Sequence, residues 1–351
     1  MSTTLTGARL DYVNMGLMVI ALVLAFFLPF ELFLFSYAVL GPLHYVTEIS
    51  WLHQRNYFST LKKDFWLLVA ICLIISFFIV YHDLFVYRKL LSGVFTAEWH
   101  AKVMKVYMRI SPAFIFSAFC TAIAMVFSNS WKVRLLVMIL SFSIIVPLYP
   151  FQLVTVWIGV FLPTLVHVFL FTGLFILYGA LKSNNVHGYL SLLVFASCAG
   201  MLFFISYIPE GASVGQYVRN AMNTTGFSSV NAEILKMLKG SDGISSFDLF
   251  ESRRGYTVQR FIAFAYTYHY LNWFSKTEVI KWHMVPKPWL VASVVVWISA
   301  VALYWVDYRT GLIALFFLSL LHVFLEFPLN IKSIKGIVDE TQRLLRLGKV
   351  A

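Results

Sequence analysis

Apolar residues run for about 18 positions or more at a time, the length that crosses a bilayer as a helix, and such runs recur from end to end. Within a run such as "LLVAICLIISFFIVY" there is no alternation of apolar and polar positions, which excludes the strands of a membrane barrel. The pattern predicts an all-α, polytopic transmembrane bundle with about ten spans: 12–29, 31–50, 64–82, 109–128, 134–149, 152–180, 188–207, 257–274, 288–306 and 311–330. Pro29 parts the first span from the second, and Pro147 and Pro150 part the fifth from the sixth. The sixth is long and contains Pro163, so a kink or tilt is expected there. No internal repeat stands out, and the chain reads as a single integral membrane domain, residues 1–351.

Two connections are long. Residues 83–108 mix charges with apolar residues and predict an amphipathic segment lying at the interface. Residues 208–256, with Gly, Ser, Asn and charges, predict a water-exposed extracytoplasmic loop or small cap.

Composition sharpens this picture. The chain is 60% hydrophobic and only 12% charged, so a soluble domain is excluded. Its net charge of +11 does not point to nucleic acid, because the basic residues mostly flank apolar runs. With the N-terminus inside, the inner segments hold fifteen basic residues: Arg9, Arg55, Lys62, Lys63, Lys132, Arg134, Lys182, Lys276, Lys281, Lys287, Lys332, Lys335, Arg343, Arg346 and Lys349. The short outer loops hold only Arg309. Both termini are therefore expected in the cytoplasm, with the protein multi-pass in the cell's inner (cytoplasmic) membrane. Cys72, Cys120 and Cys198 fall inside apolar runs and read as small core residues.

Against this apolar background, a few ionisable residues stand out. The second expected span carries His44 and Glu48, the eighth His269 and Asn272, and the tenth His322 and Glu326, each near the cytoplasmic end. His44/Glu48 and His322/Glu326 are four apart, so each pair shares a helix face. Burying such pairs is costly, and it is tolerated where they meet one another or a ligand. Histidine and carboxylate one turn apart on facing helices is how bundle-core metal sites are built. The donor set suits iron, with zinc or manganese as alternatives, and iron with open positions is the usual oxygen-activating choice. The competing reading is that each pair only hydrogen-bonds between helices. Pro42 loosens the backbone just before His44. His53, one turn beyond the second span, and His167, mid-membrane in the sixth, are further candidate ligands. Glu48 and Glu326 are candidate ligands or bases, and Asn272 can orient a ligand or substrate. Tyr268 and Trp273 belong to an aromatic run that reads as an interfacial belt or as the lining of a substrate channel. His283 reads as a surface residue of the inner loop that could still join the site, His82, His100 and His187 rank lower, and His82 and His100 fall on the outer side, far from this cluster.

"GPLHYVTE" resembles the Gly-x-x-His-x-x-x-Asp signature of the Brp/Blh family, bacterial membrane enzymes similar to β-carotene dioxygenase. "LLHVFLEFPLN" and "TYHYLNWF" are similar to later His-containing segments of such proteins. Glu48 and Glu326 stand where that family has Asp, and Tyr45 where it tends to have Gly. The resemblance implies a helical membrane enzyme whose histidines, His44 among them, hold a non-haem iron that uses dioxygen. The expected function is thus a metal-dependent oxidase or oxygenase acting on an apolar or lipid-like small molecule that enters from the bilayer, with an electron donor as partner. The alternatives are a transporter or channel that uses His and Glu as a proton or ion relay, and an assembly factor whose polar pairs only select helix partners.

Overall fold

The computed structural model describes residues 2–55, 62–205, 207–208, 213–240, 243–276 and 286–347. Helix is the only regular structure among them. In chain order the α-helices are α1 (Ser2–Phe27), α2 (Pro29–Phe35), α3 (Gly41–Arg55), α4 (Lys62–Val86), α5 (Ala97–Phe127), α6 (Trp131–Ile145), α7 (Gln152–Val156), α8 (Thr172–Ser183), α9 (Val186–Phe204), α10 (Gln216–Thr225), α11 (Phe227–Lys239), α12 (Ser246–Phe250), α13 (Arg253–Ser275), α14 (Lys287–Val306) and α15 (Tyr308–Leu347). Two stretches wind as π-helix: Ser36–Leu40, between α2 and α3, and Trp157–Phe171, between α7 and α8.

Nine helices among the described residues are long and apolar enough to cross a membrane. The stretch 257–274, expected as a tenth span, is helical within α13 but is not one of the nine. Its Gln259, Arg260, Thr267, His269 and Asn272 dilute the apolar character, and all five are buried. A helix this polar is stable because protein surrounds it: α1, α2, α9, α11 and α12 all pack against it.

Packing divides the chain into two compact units. Periodicity along a helix says that a face is buried, but not against which helix. The first unit comprises Met1–His44, Leu165–Arg309 and Ser333–Ala351. Its centre is α13, started by Ser252, whose side chain accepts from the Gly255 N–H at 3.0 Å. Gly255 is required there, because a Cβ would run into the backbone carbonyls of Asp248 and Leu249. Arg260 is fully buried and donates to Phe26 O at 2.9 Å and Ile205 O at 3.4 Å. Those carbonyls lie at the C-terminal ends of α1 and α9, so one guanidinium caps two helices. Gln259 beside it donates to Pro29 O and accepts from Asn231. Residues 208–256, expected as a loop or cap, contain the three short helices α10, α11 and α12.

The second unit comprises Tyr45–Thr164 and Thr310–Lys332. Here α5 packs on α4 and α6. Arg134, counted above among the loop charges, is buried; its Nε and Nη2 bond Ser128 O at 3.0 and 2.6 Å, closing the end of α5. Residues 83–108 are the stretch expected as an amphipathic segment at the interface. They divide between the end of α4, a turn with Lys89 at positive φ, and the start of α5, which Thr96 caps. His82 and His100 meet across this turn, ring nitrogens 3.2 Å apart, with Phe85 stacked on His100.

Candidate metal centre

Each of the buried histidines on α3 and in the long π stretch is delivered by an irregular helix. The π turn Ser36–Leu40 ends just before Pro42, which has no N–H for the helix ladder, and His44 follows two residues later. Neighbours stabilise this turn. Trp297 Nε1–H of α14 donates to Val39 O at 2.8 Å, Tyr308 donates to Leu34 O at 2.9 Å, and Ser36 shares a hydrogen bond with Thr267 at 2.8 Å. His167 lies in the second π stretch, four residues after Pro163. Local π geometry is frequent at functional sites, because it re-aims side chains and frees backbone groups.

In the first unit these irregularities bring His44, His167 and His269 together, and all three are buried. His44 Nε2 and His269 Nε2 are 3.2 Å apart. The His269 ring centroid lies 4.9 Å from that of His44 and 4.9 Å from that of His167. Tyr270 and Trp273 flank His44 at ring distances of 5.2 and 5.5 Å, so an aromatic wall stands on one side of the imidazole. On its other edge, His269 Nδ1 meets Thr172 Oγ1 at 2.9 Å.

In the second unit, His322 and Glu326 are buried one turn apart on α15, and the ring of Tyr45 stacks on His322 at 4.4 Å. Glu48 is buried on α3. Pro328 interrupts α15 two residues beyond Glu326, as Pro42 and Pro163 interrupt the segments that carry His44 and His167.

Histidine and glutamate groups able to hold a metal ion are present among the described residues, and their members are His44, His167, His269, His322 and Glu326. Glu48 is not among them. The side chain of His53 and the whole of His283 lie outside the described residues. Asn272 is buried on α13. Tyr268 is buried against Phe195 and Phe264, at ring distances of 5.5 and 6.1 Å, and serves α9–α13 packing. Trp273 does reach the cluster, through His44.

Neither Thr172 nor Tyr45 was among the candidate site residues of the sequence. Thr172 had a faint signal, being a polar residue in an apolar run five positions after His167. Tyr45 had none, since a tyrosine beside a histidine carries no spacing information.

Fold and site together define a multi-pass helical membrane protein with buried His/Glu groups that can take a metal ion. Compared with known proteins, the chain matches no family model, no curated protein and no solved structure.

Proposed function

We propose that this protein is a membrane-embedded, metal-dependent oxidoreductase, a non-haem iron oxidase or oxygenase acting on an apolar or lipid-like substrate in the cytoplasmic membrane. The observation that carries the reading is the 3.2 Å approach of His44 Nε2 to His269 Nε2 inside a buried cluster with His167. Two imidazole nitrogens sharing one ion at about 2.0–2.1 Å stand about 2.9–3.4 Å apart, from right-angled to tetrahedral geometry. The spacing therefore suits a shared cation without rearrangement.

The donor set fits iron, as it fits zinc or manganese. When bound, iron supplies the activation of dioxygen. The chain's own residues do the rest. His44 and His269 would hold the ion, with the ring of His167 packed against His269, and Tyr270, Trp273 and the apolar helix faces would keep water away. Glu48 and Glu326, buried in the second unit, are carboxylates available there as ligands or bases. Asn272 is assigned to orienting the substrate. The resemblance of "GPLHYVTE" to the Brp/Blh signature supports the choice of iron and dioxygen.

The test is elemental analysis of protein purified without chelator. Near-stoichiometric iron is expected, and His44→Ala and His269→Ala each lose most of it. A metal-free wild type would overturn the reading. His322→Ala and Glu326→Gln, assayed in parallel, decide whether those residues ligate the same ion.

The buried carboxylates Glu48 and Glu326 favour one second reading, an ion or proton relay. It requires flux in reconstituted vesicles that Glu48→Gln or Glu326→Gln abolishes; unchanged flux in both removes it.

A further inference from the structure

We infer that Thr172 is a positioning residue: its hydroxyl fixes the tautomer of His269 and so turns the lone pair of Nε2 toward His44. This rests on the metal reading above, and it names the group that makes His269 a ligand.

A threonine hydroxyl has one proton to donate and lone pairs to accept with. Thr172 Oγ1 donates to Val168 O at 2.9 Å. With its proton committed there, Oγ1 faces His269 Nδ1 at 2.9 Å as an acceptor, so Nδ1 carries the hydrogen. A neutral imidazole protonated at Nδ1 has its lone pair on Nε2. That atom is the one 3.2 Å from His44 Nε2. The reverse arrangement, with Thr172 donating to Nδ1, would aim an N–H at the place a cation must occupy.

The backbone explains why the hydroxyl turns to Val168. Val168 lies in the π stretch Trp157–Phe171, and Thr172 is the first residue of α8. A hydroxyl on a helix commonly returns to the carbonyl four residues back, as those of Ser117, Ser141 and Ser183 also do. The sequence of causes runs from the Val168 carbonyl, through the Thr172 proton, to the lone pair on Nε2 of His269. All of these groups from Val168 onward belong to the first unit, and Val168, Thr172 and His269 are buried.

Two measurements on the full-length protein test this. In metal-free protein labelled with nitrogen-15 histidine, solid-state NMR should find His269 as a single Nδ1–H tautomer. Thr172→Val, which keeps the shape and removes the hydroxyl, should lose that single state, while Thr172→Ser should retain it. In titrations with cobalt(II) read by its ligand-field absorption, Thr172→Val should bind about 10- to 100-fold more weakly, and Thr172→Ser as wild type does. Thermal unfolding of Thr172→Val checks that the variant folds. Wild-type cobalt affinity in Thr172→Val, with binding abolished in His44→Ala, would overturn the role of Thr172 and leave the metal reading standing. No cobalt binding by the wild type would overturn the metal reading, and the tautomer spectrum would still decide whether Thr172 sets the ring. An Nε2–H signal for His269 in the wild type would overturn the inference outright.

Discussion

Trp297 donates its indole N–H to the carbonyl of Val39, inside the π turn that precedes His44. The two residues are 258 apart in sequence. The bond matters because a π turn next to a proline leaves the helix ladder with mismatched carbonyls. At membrane depth such groups need partners from neighbouring helices. Trp297→Phe keeps an aromatic ring, though a smaller one, and removes the donor. It should cost about 1 kcal/mol in stability and loosen the placement of His44. The expected outcome is a small fall in thermal unfolding temperature together with lower metal retention by elemental analysis. A variant with the lower temperature and full metal content would separate the turn from the site.

Arg260 offers a contrasting case, in which a buried charge serves the fold. Its guanidinium bonds Phe26 O and Ile205 O and lies over the Phe26 ring, 4.0 Å from its centroid. Arg260→Met should destabilise by about 3 kcal/mol, since charged hydrogen bonds are lost and two helix ends are uncapped. Arg260→Lys should recover little, because one ammonium cannot span both carbonyls in the same geometry. Metal content per folded molecule should stay unchanged in both. Thermal unfolding in detergent, followed by elemental analysis of the soluble fraction, measures the two effects separately.

The polar helix α13 bears on topology. If it crosses the bilayer with the nine apolar helices, the two ends of the chain lie on the same side. Single cysteines at Gly7 and Arg343, introduced after Cys72, Cys120 and Cys198 are replaced by alanine, should then be labelled from the same side by an impermeant reagent. Labelling from opposite sides would mean that α13 does not cross.

Outside the membrane spans, Asp248 provides a pH-dependent contact. The Lys239 ammonium beside it, then the N–H and hydroxyl of Ser245, hold its carboxyl well below the ordinary carboxylate range. A depressed folded pKa means that the contribution is complete above the unfolded value, near pH 4, and is lost as pH falls below it. Amide exchange of residues 245–250, corrected for intrinsic rates, should therefore be flat from neutral pH to about pH 4 and rise at lower pH. Asp248→Asn should give weaker protection with no such step.

Much of the site was visible in the sequence because charge is rare there. In a chain with 12% charged residues, His44, Glu48, His322 and Glu326 at helical spacing were conspicuous, and each proved buried. Pro42 and Pro163 likewise marked irregular backbone, although not that it would wind as π-helix. Arg134 misled, because a basic residue at a span's end looks the same whether it faces water or caps a helix.

The sequence by itself determined that the chain is helical, membrane-spanning and equipped with buried histidines, because hydropathy, period and proline act locally. Which histidines meet was decided only by tertiary structure. His167 had no spacing partner, yet its ring packs against His269, and Thr172 became relevant only once α8 lay beside α13. Residues far apart in sequence come together through close packing of whole helices. That packing depends on side-chain shape along every interface and leaves no periodic mark on the chain.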